Sequence, residues 1–338
     1  MRAKCGDNTW RNPEPAGGFT RIGGETYYRI SSFDHLPPFF MNIPSDTDLW
    51  MFITSTGGLT AGRVDPDGAL FEYQTVDKLY HAHSHTGPVT VICVNRPESP
   101  RLLWEPFAGM PEARFSVERN LYKCVAGNRL IFEEINHHLG LEFSYRWSAC
   151  DQFGHIRTAS LKNSSGSRLK LNILDGLRNI LPFGAPLALY QQSSSLVNAY
   201  KRTDLETDSG IAVFSLTSKI IDRAEAAEEL RANLAFCSRP EEFSVHLSPD
   251  TVRLFRGGRV LPEDEVLTGR PGSYLLNSTI SLEPGESCRW HIAADSGKSQ
   301  LEVAQLRSVI TGEDNLDSRI EGALNRAGEN LVRLVGSA

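Results

Sequence analysis

Short runs of alternating apolar and polar residues dominate the chain from Tyr27 to about His291. Leu169, Leu171 and Ile173 alternate with Lys170 and Asn172, and Leu141, Phe143 and Tyr145 with Glu142, Ser144 and Arg146. Val245 and Leu247 alternate in the same way with Ser244, His246 and Ser248. A period of two gives a strand one dry face and one wet face, so these runs predict half-buried β-strands. The dipeptides Asp67-Gly68, Gly127-Asn128, Ser165-Gly166, Gly257-Gly258 and Pro284-Gly285 punctuate them and can supply the positive φ of tight hairpins. An Ala- and Glu-rich stretch at 224–229 favours helix on propensity. Alternation returns at Leu230, Ala232, Leu234 and Phe236, so no more than one or two helical turns are expected there.

The pattern changes after Asp295. Leu316, Ile320, Ala323, Leu324, Ala327, Leu331 and Leu334 recur at spacings of three and four, the period of an amphipathic helix. Asn315 is a suitable N-cap for it, Ser299 for a shorter helix ending near Ile310, and Gly312 for the break between them. The expected fold is mainly β, a large antiparallel β-supersandwich over 1–294, with helices only from about residue 299. The last helix presents an apolar stripe with no following element to cover it.

Composition narrows the function classes. The 338 residues are 40% hydrophobic and 22% charged, the balance of a globular protein, and no internal repeat suggests a solenoid or propeller. With 35 basic and 41 acidic residues the formal charge is -6, which argues against a nucleic-acid partner bound through phosphates. No apolar run is long enough to span a membrane, and the start lacks the apolar core of a secretory signal, so a cytoplasmic location is expected. Cys5, Cys93, Cys124, Cys150, Cys237 and Cys288 lie far apart without a CxxC pair and read as mostly buried thiols.

The candidate chemistry is sparse. His81, His83 and His85 alternate, and on a strand they would share one face; the outer two would be ~13 Å apart, too far to meet on one ion. No metal site and no cofactor is therefore expected. His137 and His138 follow Glu133 and Glu134, and one histidine with one carboxylate could perform proton transfer on a sugar. Phosphate-cradling glycine loops and a GxSxG elbow are absent. Aromatic, arginine and amide side chains do recur beside turns, at Trp50, Arg63, Tyr73, Trp104, Arg178 and Asn179. Such pairings suit sugars, whose C–H faces stack while their hydroxyls seek partners; the tryptophans equally suit a core.

Three runs, Gly23 to Tyr80, Ile131 to Ser148 and Leu169 to Gly184, resemble the N-terminal region of large cellobiose-phosphorylase-like proteins of glycoside hydrolase family 94 and bordering families. The resemblance implies a galactose-mutarotase-type supersandwich over 1–294 and a helical linker over 295–338. In the family this linker leads to a catalytic α/α-barrel, for which 338 residues leave no room. No catalytic residue is carried over. The stretch Thr54 to Arg63 matches a Gly-rich segment that helps form the family's dimer near a sugar site, which implies proximity for Arg63. The expected function is thus a non-catalytic carbohydrate-binding and assembly domain. Its expected partners are an oligosaccharide or β-glucoside, together with the missing barrel or a second copy in a homodimer. Trp50, Arg63, Tyr73, Arg178 and Asn179 are the candidate substrate-binding residues. The alternatives are a stand-alone mutarotase-like sugar epimerase using His81, His83, His85 or His137 with Glu133 or Glu134, and an interaction module without sugar affinity.

Overall fold

The computed structural model describes residues 14–95, 101–108, 115–221, 227–238, 242–312 and 315–337. Among these residues the strands form three sheets, and every strand pairing is antiparallel. The eleven-stranded sheet runs in space through Ala16–Ile22, Glu25–Ser31, Val117–Cys124, Leu130–Asn136, Leu141–Cys150, Gly154–Asn163, Ser287–Ser299, Arg231–Ser238, Ile211–Leu216, Lys201–Glu206 and Val266–Thr268. A five-stranded sheet orders Ser244–His246, Gly272–Leu282, Leu169–Ile180, Gly87–Asn95 and Leu102–Trp104. A four-stranded sheet orders Phe40–Ile43, Leu49–Thr54, Leu59–Arg63 and Ala69–Phe71. The expectation of a mainly β sandwich holds.

The period-two runs explain why the sheets face one another. Leu130 and Phe132, Leu141, Phe143, Tyr145 and Trp147, and Ala159 and Leu161 line the inner face of the large sheet. They meet Ile92, Val94, Leu171, Ile173 and Leu276 of the five-stranded sheet and Met51, Ile53, Leu59 and Ala61 of the four-stranded sheet in one continuous core. Two of the expected turns, Asp67-Gly68 and Gly127-Asn128, join paired strands. Ser165-Gly166 and Pro284-Gly285 instead carry the chain from one sheet to the other, and Gly257-Gly258 ends a helix. A tight turn is the same local signal in all these places; only the partner strand distinguishes them.

Five helices flank the sheets among the described residues: α1 (Val76–Ala82), α2 (Leu187–Tyr200), α3 (Asp250–Arg256), α4 (Gln300–Ile310) and α5 (Leu316–Gly336). The first three correct the expectation that helix begins only near residue 299. Helix α1 also corrects the strand reading of the histidine cluster. Leu79 and Ala82, three residues apart, are its buried positions, a spacing one helical turn satisfies, and His83 and His85 lie beyond its end. Helix α2 follows Pro186, breaks at Ser193 and buries only Tyr190 and Val197, which leaves little periodic signal. Helix α3 seats Val252 and Phe255 on Val91, Cys93, Leu174 and Leu275, the outer face of the five-stranded sheet. The helical tendency at 224–229 lies partly outside the described residues, and from 227 to 230 the chain is irregular. Cys5 also lies outside them; Cys93, Cys124, Cys150 and Cys237 are buried free thiols and Cys288 is half-buried.

The C-terminal helices start where the sequence indicates. Ser299 and Glu302 form a reciprocal capping box at α4, and Asn315 accepts from the Ser318 N–H at the start of α5. The apolar stripe of α5 has a partner within the chain: Ile320, Ala323, Leu324 and Ala327 pack on Ile156, Phe236 and Ala293, the outer face of the large sheet. Arg146 and Arg129 fasten the helix by bonds to Glu321 at 3.0 Å and Asn325 at 2.9 Å. Leu331 is buried, but Leu334, expected in the stripe, is 53% exposed. Leu324→Ala is therefore expected to lower the unfolding free energy in urea by about 2–5 kcal/mol. Leu334→Ala should change it by less than about 0.5 kcal/mol; equal costs would contradict this docking.

Candidate functional site

A cleft opens on the inner side of the large sheet, between the Thr54–Leu59 hairpin of the small sheet and the segments at 83–90 and 105–108. One end is a cavity of about 290 Å³ whose lining includes Thr56, Gly57, His83, Glu105, Phe107, Tyr145, Arg157, Arg178 and Arg256. The other end, about 220 Å³, adds Phe33, Asp34, Arg119 and Phe132 and shares Thr56, Gly57, His83, Phe107 and Tyr145 with the first. The shared residues make the two cavities parts of one cleft.

The Gly57-Gly58 turn allows the hairpin to approach. Gly57 has φ +87° and lies with its Cβ position 3.6 Å from the Tyr145 hydroxyl, and a Cβ on Gly58 would stand 1.8 Å from the Leu79 carbonyl of α1. The Thr56 hydroxyl and His83 Nδ1 both bond the Tyr80 carbonyl at 3.1 Å, which joins the hairpin to the end of α1. Because a carbonyl only accepts, Nδ1 carries the ring proton and Nε2 is left as the acceptor. Burial lowers the His83 pKa below the ordinary histidine value; the Tyr80 carbonyl works against this and the Arg178 charge adds to it.

Arg178 positions that histidine. It lies at a bulge in Leu169–Ile180, followed by Asn179 at φ +54°, and its Nη groups donate to the carbonyls of His83 at 2.6 Å, Ser84 at 2.7 Å and Pro88 at 3.2 Å. Burial, with the Arg256 charge nearby, pushes its pKa down to about 10. The Asn179 amide donates to Thr86 Oγ1, which ties the same loop a second time. On the far wall Phe107, at φ +62°, sets its ring edge-on to Tyr145 with centroids 5.3 Å apart. Its N–H donates to Glu134 at 2.7 Å. Glu105 is clamped by Arg256 through both oxygens, at 2.8 and 2.6 Å.

The cleft thus gathers His83 and Arg178 from the sequence candidates, while Asn179 does not line it and only ties the adjoining loop through Thr86. The others lie elsewhere. Arg63 bonds Asp48 at 2.6 Å, Asp151 at 2.9 Å and Asp295 at 3.1 Å. Burial opposes its charge, but these carboxylates outweigh it and raise its pKa. Trp50 packs with Phe52 and edge-on to Tyr73 against the α2 cluster. Glu134 is 1% exposed and holds Trp104 Nε1, Phe107 N and Arg119 from behind the cleft. Glu133 points the other way and accepts from Tyr122 and Asn120. His81 lies in the last turn of α1, where its carbonyl accepts from Ser84 Oγ, whose hydroxyl also meets His85 Nδ1. His137 stands exposed 3.8 Å from Glu118, and His138 packs near Phe115. Among the described residues no three His, Cys, Asp or Glu side chains converge as a metal site. No helix there is long and apolar enough to cross a membrane.

No family model and no curated protein matches the chain. Among solved structures it is similar to a bacterial glucoamylase complexed with acarbose, at 10% identity and a TM-score of 0.38, over 89% of this chain and 39% of that one. The chain therefore spans about two fifths of the glucoamylase's length. A galactose mutarotase-like protein from Clostridium acetobutylicum matches at 10% identity and a TM-score of 0.39, over 84% of this chain and 98% of that one. A putative aldose 1-epimerase from Klebsiella pneumoniae subsp. pneumoniae matches at 12% identity and 0.36, over 88% and 92%.

Histidine NMR tests the local chemistry. At neutral pH His83 should show the Nδ1–H tautomer and titrate below the ordinary value of about 6.5. Arg178→Met should move that titration upward by removing a neighbouring positive charge; an unchanged midpoint would contradict the assigned coupling.

Proposed function

We propose that the cleft is a saccharide site and that this chain works as a carbohydrate-binding β-domain. The observation that carries the proposal is the half-buried Phe107 ring beside the neutral His83, Thr56, Arg178 and the buried Tyr145 around one cavity. Aromatic surfaces accommodate sugar C–H faces, and the polar groups offer donors and acceptors to hydroxyls. The resemblance of three sequence runs to cellobiose-phosphorylase-like proteins supports an oligosaccharide or β-glucoside as the ligand. It also supports an assembly role beside a helical barrel or a second copy.

Mutarotation is the second reading, and the free Nε2 of neutral His83 favours it, since such a nitrogen can take the proton of an anomeric hydroxyl. Ring opening also needs an acid at the ring oxygen. The lining carboxylates are engaged: Glu105 by both donors of Arg256, and Asp34 by Arg119 at 3.7 Å. Binding is therefore the primary reading.

Calorimetric titration with cellobiose and methyl β-D-glucoside should show saturable binding. His83→Ala should weaken it about three- to tenfold, the loss of one hydrogen bond, with the circular dichroism spectrum retained. Polarimetry should show no acceleration of α-D-glucose mutarotation. Absent binding would contradict the cleft assignment, and acceleration abolished by His83→Ala would establish the second reading.

A further inference from the structure

Among the described residues the charges of the larger cavity do not balance. Arg157 is matched by Asp175 at 2.7 Å and Arg256 by Glu105 at 2.6 Å. Arg178 has three backbone carbonyls and, among the described residues, no carboxylate in ion-pair contact. Two N–H donors are also left over. The Nε atoms of Arg157 and Arg178 have no accessible surface and, among the described residues, no hydrogen-bond partner; of the two side chains lining this cavity only Arg178 is partly exposed. Buried donors of this kind cost free energy unless something accepts from them, and a guanidinium without a counter-charge costs more.

We propose that this end of the cleft selects an acidic sugar, a hexuronic acid residue whose carboxylate lies beside Arg178. This rests on the reading of the cleft as a saccharide site. A carboxylate brings a single negative charge, which equals the one unmatched cation among the described residues. A phosphate monoester carries roughly two negative charges at neutral pH and would overshoot that balance. The Phe107 ring remains for the sugar ring itself, and His83 Nε2 for a hydroxyl donor.

Calorimetry on the full chain compares methyl β-D-glucuronide, methyl β-D-glucoside and glucose 6-phosphate. The glucuronide should bind on the order of tenfold more tightly than the glucoside at low salt, as for a charge-assisted contact. That advantage should shrink between about 20 mM and about 500 mM NaCl as screening grows. Arg178→Gln should bring the ratio of glucuronide to glucoside affinity down to about one, whatever it does to either affinity alone. Because Arg178 also holds the His83 loop, the comparison of ligands on the unaltered protein and its salt dependence decide the matter if that variant does not fold. Equal affinity for glucuronide and glucoside would overturn the acidic-sugar assignment and leave the saccharide site standing. Tightest binding of glucose 6-phosphate would overturn the single-charge match. No saturable binding of any of the three would remove the saccharide site and this inference together.

Discussion

Asp175 sits between the two larger sheets with its carboxylate shared among three donors. Thr90 Oγ1 donates to one oxygen at 2.6 Å, and Arg157 Nη1 and Trp290 Nε1 donate to the other at 2.7 Å each. The second guanidinium arm reaches Thr90 Oγ1 at 3.0 Å, and the guanidinium lies over the Tyr145 ring at 4.6 Å. Thr90 and Asp175 belong to the five-stranded sheet, whereas Arg157, Tyr145 and Trp290 belong to the large one. The pair is sealed, with side-chain exposures of 0% and 2%. Each charge is tolerable there only with the other in place, so the network fixes how the sheets face one another.

The same network makes the floor of the cleft. Arg157 and Tyr145 both line the cleft, and Tyr145 also belongs to the core. Arg178 lies three residues beyond Asp175 on the same strand, and the loop it holds carries His83. A second buried carboxylate, Glu134, repeats this arrangement at the other wall, where it joins Trp104 to the backbone of Phe107. The site is therefore attached to rigid strands through two buried carboxylates, and its mobile connections are reduced to short segments.

Much of the fold was legible because period-two alternation and turn glycines are local signals, as in Leu141–Cys150, where Leu141, Phe143, Tyr145 and Trp147 are all buried. Helices α1 and α2 were not legible, since Leu79 with Ala82 and Tyr190 with Val197 are too few buried positions to define a period. For the site, histidines drew attention by their spacing, yet only His83 reaches the cleft. The missed residues had a usable signal in strand parity. Asp175 continues the inward series Leu169, Leu171 and Ile173, and Arg157 precedes Ala159 and Leu161; Glu134, already a candidate for acid–base chemistry, follows Leu130 and Phe132 in the same way. A charge on the dry face of a strand demands a partner or a function. Glu105, Phe107 and Arg256 carry no such mark, because their meeting depends on pairings between distant strands that a sequence pattern does not contain.

The central claim is that the Arg157–Asp175 pair holds the sandwich and its cleft together, and denaturant unfolding of two variants tests it most directly. Asp175→Ala leaves a buried guanidinium unpaired and should lower the unfolding free energy by about 3–5 kcal/mol. The double change Arg157→Met with Asp175→Leu removes both charges and should recover most of that loss. A cost below about 1 kcal/mol for Asp175→Ala, the scale of an exposed ion pair, or a double variant no more stable than the single one, would contradict the account.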